Sequence, residues 1–465
     1  MSGTLQASPG VAISPSSVKA TLPTNYITNF DFLNQYLPDT YEKEFERYGN
    51  RSIASFLRMV GAELPSNSDL IKWAEQGRLH TKYTSLTAVG ATGGDDSVTF
   101  DIGTGTCVFR IGQTVFLSNN ASASSAYKGI ITALPAADRF TVAFYNAGGI
   151  ATADTGATFT AFVYGSEFKK GSNGMSGSLE AQDSIFEVSP IIIKDKYVVS
   201  GSDMAQIGWV EVTTENGATG YLWYMKSEHE NRLRFEDYME MSMVEGVPAE
   251  TGSGAIAATG DLGNKGTKGL FYEIENRGNV WAGGNPSALA DFDTIVQRLD
   301  KQGAIAENAL FLNRQFSFDI DDMLAAQNSY GVGGTSYGLF DNSEQMALNL
   351  GFSGFRRGYE FYKTDWKYLN DATLRGGLVG GAVNGVLVPA GTTTVYDQVL
   401  GKNAKRPFLH VRFRASETEN RRYKTWMTGS AGGAATSDLD AMEVNLLTER
   451  ALCTLGANNF FIFKG

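Results

Sequence analysis

The sequence predicts an α+β fold with an excess of β structure, and three observations lead there. Among 465 residues, 53 are Gly, 28 Phe and 20 Tyr. Glycine supplies turns with positive φ, while aromatic side chains suit a pleated, half-buried surface. Short apolar runs bounded by Gly, Asn and Pro recur along much of the chain, as strands require. One stretch, GYLWYMKSEHENRLRFEDYMEMSMVEGVP, is free of interior Gly and Pro for about 25 residues and predicts a single long helix.

A hydrophobic fraction of 42% with 19% charge is that of a folded protein, and the length suffices for several domains. His80, His229 and His410 are too far apart in sequence for a local metal-ligand pattern, and no H-E-x-x-H or C-x-x-C motif occurs. Two cysteines, Cys107 and Cys453, do not make a disulfide scaffold, which points to a reducing compartment. A net charge of −11 argues against a dedicated nucleic-acid binder. The first residues carry no charged and apolar leader, and no run approaches the roughly 18 to 20 apolar residues of a membrane span. The expectation is a soluble protein with no cofactor, no metal and no membrane partner.

Residues 1–28, rich in Ser, Thr, Pro, Ala and Gly, predict a flexible arm. Residues 29–77 predict a helical segment broken at Gly49, with Ser68 as the N-cap of a last turn that Gly77 stops. From Arg78 the pattern is extended. The runs VTFDI, CVFRIGQTVFLSN, YKGIITAL, DRFTVAFYN and ATFTAFVYG predict a small barrel or sandwich over 97–165, set between the two arms of a hairpin spanning 78–177. Strands in DSIFEVSPIIIKDKYVVSG precede the long helix at about 221–245. On that helix Leu222, Met225, His229, Leu233, Glu236 and Glu240 share a face whose apolar character fades. A Gly-, Ala- and Thr-rich connection at 249–268 leads to a mixed section. There FDTIVQRLDKQG predicts a helix ended by Gly303, and NALFLNRQFSF a strand. The section from 406 to 465 reads as mostly β.

The stretch FSFDIDDMLAAQNSYGVGGTSYG places Asp319, Asp321 and Asp322 ahead of a glycine run and invites an active-site reading. In a strand, 319 and 321 share a face and 322 points away; in a helix only 319 and 322 meet. Asp319 as N-cap and Asp322 three residues on is the simpler use of the pair, worth about 0.5 to 2 kcal/mol. GVGGTSYG follows a helix and has no Lys, unlike a dinucleotide or P-loop motif. Ser336 lies in G-x-S-x-G without the strand a nucleophile elbow needs before it. No catalytic, cofactor-binding or metal-ligating residue is assigned. The basic pairs Lys169 with Lys170, Arg356 with Arg357, and Arg421 with Arg422 near Lys424 are candidate contacts to other subunits.

The order of parts resembles the major capsid proteins of tailed bacteriophages, of the Hong Kong 97 type. The segments FDIDDMLAAQNSYGVGGTSYGLF, GFRRGYEFYKTDWKYLNDATLRGG and VNLLTERALCTLGANNFFIFKG look most like those of crAss-like phages. The resemblance implies an arm at 1–28, an E-loop at 78–177 and a peripheral domain at 178–252 with its spine helix. It further implies an axial domain at 253–405 and a β-rich remainder at 406–465. The implied role is structural and non-enzymatic. Copies would form hexamers and pentamers and close an icosahedral head around packaged double-stranded DNA, with portal and auxiliary or cement proteins as partners. Assembly would take place in the bacterial cytoplasm. Two other readings are a β-rich carbohydrate-binding or hydrolysing protein, with Asp365 beside Trp366 its nearest signature, and an encapsulin-type compartment.

Overall fold

The computed structural model describes residues 56–57, 62–122, 124–180, 183–205, 212–213, 219–220, 223–259, 263–327, 354–397, 402–433 and 435–465. The arm at 1–28, most of the helical segment expected at 29–61, and the glycine run with Ser336 lie outside the described residues. The chain divides into two compact units: Lys72–Glu187, and the remainder.

The first unit is built on a closed antiparallel barrel. Its strands are β3 (Lys82–Val89), β4 (Ser97–Asp101), β5 (Gln113–Asn119), β6 (Ala126–Ala136), β7 (Arg139–Phe144) and β8 (Thr158–Ser166), closed in the order β3-β4-β7-β6-β5-β8. Alternate residues point inward, so Leu86, Phe100, Val115, Leu117, Phe140, Val142, Phe159 and Ala161 lose all contact with water. Phe100 opposes Phe140 across β4 and β7, with ring centroids 5.8 Å apart. Tyr83 and Leu86 both pack on this core although a period of two would put them on opposite faces. A bulge between them, with Ser85 at φ +61°, supplies the extra residue. Gly129 is required on β6, because a Cβ there would lie 2.4 Å from the Ala143 carbonyl oxygen.

The barrel is wider than the sequence suggested. RLHTKYTSLTAV was expected to be an arm leading into a module starting at 97, but Lys82–Val89 is itself a barrel strand, hydrogen-bonded to both β4 and β8. The residues SNSDLIKWAEQG do not form the expected helical turn. Ile71–Gln76 is strand β2, paired with β9 (Asp183–Val188), and its burial alternates residue by residue. The Ser68 hydroxyl accepts from the Leu70 amide at 3.3 Å, a local turn and not a helix cap. Residues 62–66, placed in the same helical segment, form strand β1 (Ala62–Ser66).

The second unit holds two larger sheets and two short ribbons. The five-stranded sheet contains β1, β10 (Ile191–Ser200), β20 (Leu409–Arg414), β21 (Lys424–Gly429) and β22 (Ala441–Thr454). β22 is its axis: β10 pairs along one edge, while β21 and β20 share the other. The ribbons are β11 (Val212–Thr213) with β12 (Thr219–Gly220), and β18 (Thr392–Asp397) with β19 (Lys402–Pro407). The six-stranded sheet runs β13-β23-β17-β14-β16-β15. Its strands are β13 (Asn279–Trp281), β14 (Glu307–Leu312), β15 (Gly354–Arg357), β16 (Tyr359–Asp365), β17 (Val383–Pro389) and β23 (Phe461–Lys464).

After the short helix α1 (Gly201–Met204) comes the long helix α2 (Trp223–Glu245), about 35 Å at 1.5 Å per residue. Its buried side is Asn231, Phe235, Met239, Glu240, Met243 and Val244, in place of the expected Leu222 to Glu240 face. Phe235 and Met239 pack on Val199, Met442, Val444 and Leu446 of the five-stranded sheet. The sheet's apolar face selects the Phe and Met residues, and Met225 is left exposed. Further helices are α3 (Gly254–Thr259), α4 (Leu270–Arg277), α5 (Leu289–Gln302), α6 (Arg314–Gln327) and α7 (Lys367–Asn370). α5 ends at Gly303 in the left-handed conformation, as its sequence predicts. Its Phe292, Ile295 and Leu299 join Phe316 and Ile320 of α6 against the six-stranded sheet.

The barrel and the second unit bury separate cores. Replacing Phe140 by Ala should destabilise the barrel by about 3 to 5 kcal/mol. Hydrogen exchange should then accelerate in β3–β8 and stay unchanged in β14, β17 and β23.

Candidate functional site

The acidic stretch forms no site. NRQFSF, expected as strand, is the start of α6, so Asp319 lies in the helix interior and cannot cap it. Asn313 occupies the cap position, its side-chain oxygen accepting from the Phe316 amide at 2.8 Å. Asp319 instead accepts from Asn285 at 2.6 Å and from Gln315 at 2.9 Å. Asp321 pairs with Lys363 at 2.5 Å, both largely buried. Asp322, the other expected cap residue, is exposed on the helix interior. Asp319 and Asp321 thus serve separate contacts and Asp322 faces solvent, and among the described residues no group of His, Cys, Asp and Glu is placed to hold a metal.

Two of the basic pairs are engaged within the chain. Arg357 holds Asp293 in a bidentate clamp that keeps the Asp293 carboxyl below, and the Arg357 guanidinium above, their ordinary ranges. Arg356 lies 3.7 Å from Glu360. Arg421 meets Glu449 at 2.8 Å, and Arg422 pairs with Glu63. Lys424 pairs with Glu419 at 2.5 Å and holds that carboxyl low. Lys169 and Lys170 are exposed on the segment that follows β8.

A further polar feature, unmarked by any motif, is a cleft of about 810 Å³. Glu63, Glu236, Glu240, Arg422, Tyr423 and Arg450 line it with four further residues. Arg450 is buried, and burial pushes its guanidinium down from its ordinary value while Glu63 opposes the shift. It donates to the Thr448 hydroxyl at 3.0 Å and to the Arg422 carbonyl at 3.0 Å, and reaches Glu63 at 3.5 Å. Glu240, also buried, accepts from the Phe56 amide at 3.1 Å. A second cluster closes the C-terminal end of α2. Arg375 clamps Glu245 through two nitrogens, donates to the Gly381 carbonyl at 2.6 Å and stacks over the Phe271 ring at 4.9 Å. Tyr368 donates to Glu245 at 2.6 Å, and burial followed by that carboxylate pushes its phenol well up.

These arrangements join segments far apart in sequence; Glu63 and Arg422 are 359 positions apart. A guanidinium is never a base at neutral pH, and its carboxylate partners here are occupied by clamping. The cleft thus ties β1 to β22 and to the segment around Arg422. The pair that hinted at carbohydrate chemistry is also accounted for. Trp366 is buried against Phe56 with centroids 4.5 Å apart, and Asp365 pairs with Arg314 and Asn370. His410 is buried beside the Pro407 carbonyl; Cys107 and Cys453 are not joined in a disulfide, and burial pushes the Cys107 thiol up.

One faint signal for the cleft was present: Glu449 and Arg450 sit side by side between the apolar pairs Leu446–Leu447 and Ala451–Leu452 of β22, and buried charges persist only when paired. Glu63, the carboxylate that Arg450 meets, sits in a segment without such a cue.

No protein-family model matches the chain. No curated protein matches it either. Among solved structures it is similar to a chain of Gordonia phage Cozz, at 10% identity and TM-score 0.39, covering 98% of this chain and 96% of that one. A chain of Microbacterium phage Oxtober96 gives 9% identity and TM-score 0.38, over 94% and 98%. One from the capsid of a native GTA particle gives 10% and 0.37, over 92% and 95%.

Two outcomes follow. Asn313→Ala should lower stability by about 1 kcal/mol in urea unfolding, while Asp322→Ala at its exposed position should change it by less than about 0.5 kcal/mol. Glu63→Ala should cost about 3 kcal/mol by leaving Arg450 buried without its carboxylate, and the paired exchange Glu63→Leu with Arg450→Met should recover most of that.

Proposed function

We propose that the chain is the major capsid protein of a tailed bacteriophage, of the Hong Kong 97 type and nearest to those of crAss-like phages. The observation that carries this reading is the order of elements. A self-contained barrel unit is set between paired strands β2 and β9, and a sheet strand, a 23-residue helix and a mixed six-stranded sheet follow it. On this reading the segment 78–177 is the E-loop carrying the barrel, α2 is the spine helix of the peripheral domain, and 253–405 is the axial domain. Residues 1–28 are the arm.

The function is then mechanical. Copies form hexamers and pentamers, close an icosahedral head around double-stranded DNA, and meet portal and auxiliary proteins in the virion. The clamps on the C-terminal part of α2 support such a role, because a shell subunit must keep its shape while its neighbours pull on it. Glu240 ties one part of the helix to Phe56, and Glu245 ties its end to Arg375. Non-enzymatic chemistry fits the engagement of Asp321, Asp365 and Arg357 in structural pairs.

Negative-stain microscopy and sedimentation velocity on the purified chain test this. Rings of five or six copies, or closed shells, are the expected result. Persistent monomers that bind glycans would overturn it.

A further inference from the structure

Asn is followed by Gly three times in the chain, at 173–174, 216–217 and 384–385, and the second pair lies outside the described residues. The two described pairs differ in everything that governs attack of a backbone amide on the side chain before it. Asn384 lies in β17, where its side-chain oxygen accepts from Asn313 at 3.2 Å and its side-chain amide donates to Asn285 at 2.6 Å. Its carbonyl accepts from the Asn313 backbone at 2.8 Å. Gly385 is buried, opposite Leu312 of β14 and Phe463 of β23, and a Cβ on it would lie 2.7 Å from the Leu312 side chain. Asn173 and Gly174 belong instead to the irregular segment after β8, between the positive-φ glycines Gly171 and Gly177. Both are exposed, and neither the Asn173 side chain nor the Gly174 amide has a hydrogen bond among the described residues. A Cβ on Gly174 would meet nothing within 4 Å.

We infer that Asn173 is a site of spontaneous deamidation, with water as the co-reactant. Hydroxide takes the proton of the Gly174 amide, and the nitrogen attacks Cγ of Asn173. A C–N bond forms, closing a five-membered succinimide. The bond from Cγ to Nδ2 breaks, and ammonia leaves with a proton from water, which restores the hydroxide. Water then adds to either ring carbonyl. Opening at Cγ gives aspartate, and opening at the backbone carbonyl gives iso-aspartate, in which the chain runs through the former side chain. Glycine at 174 has no Cβ to crowd the attacking nitrogen and reaches backbone angles closed to other residues. At Asn384 the same pair is held off, because the strand fixes the backbone and two asparagines hold the side chain. Lys169 and Lys170 give residues 169–176 a charge of +2, which each event lowers to +1. A subunit of a closed shell is not replaced during the life of a particle, so on the capsid reading the change accumulates with age. The reaction itself needs no assembly.

The purified full-length chain, kept warm at mildly alkaline pH and digested with trypsin, tests this by mass spectrometry and isoaspartyl methyltransferase labelling. The peptide that begins at Gly171 should gain acid in place of amide at residue 173, with iso-aspartate the larger share, and the rate should rise with pH. Over the same period Asn384 should stay intact, and unfolding in urea should remove the difference between the two pairs. Gly174→Ala should slow the conversion at least fivefold while leaving the circular dichroism unchanged. An Asn173 amide that lasts as long as that of Asn384 in the folded chain, a difference that persists in urea, or a Gly174→Ala chain that converts like wild type would overturn the inference. Each of these results leaves the capsid reading standing, since rings and shells decide that separately.

Discussion

The buried guanidinium of Arg450 is the interaction on which the second unit turns. It sits on β22, the strand that carries β10 on one edge and both β20 and β21 on the other. A charge withdrawn from water must be matched nearby, and Glu63, Thr448 and the Arg422 carbonyl do so from three directions. Glu63 lies on β1, so satisfying Arg450 also fixes where the first described strand joins the sheet, in parallel with β20. Apolar packing under α2 makes the sheet stable, while the charge network decides which segment completes it.

The barrel obeys a different rule. Its twelve fully buried or nearly buried apolar residues form a cluster of their own, and full closure leaves no strand edge open within it. Outside that cluster, Asp154 accepts from Asn119 at 2.8 Å and from Tyr127. Such a unit keeps its shape without help from the rest of the chain, which frees its outer surface for a task of its own.

What could be read from the sequence followed from local pattern. The Phe292–Leu299 spacing with Gly303 predicted α5, and the short runs from Ser97 onward predicted a small barrel or sandwich, of which the structure forms the barrel. Where local and tertiary demands diverged, the reading failed. IKWAEQ has helical spacing by composition, but β9 offers it a ladder and it is a strand. Asp319 and Asp322 fit a capping pattern, but Asn313 lies closer to the turn where β14 ends and takes that place. The cleft was the least legible feature, because Glu63, Glu240 and Arg450 converge only after three remote segments have packed. No window of sequence contains more than one of them.

That convergence governs when the molecule can exist during its synthesis. The barrel's strands lie within a continuous stretch and can pair as soon as they emerge. β1 must wait for β20 and β22, with Glu63 separated from Arg422 by 359 positions. Until those late strands appear, the early segment has no ladder, no counter-ion and no sheet to join. A ribosome-bound chain would therefore complete its barrel while the second unit still waits for its last strands.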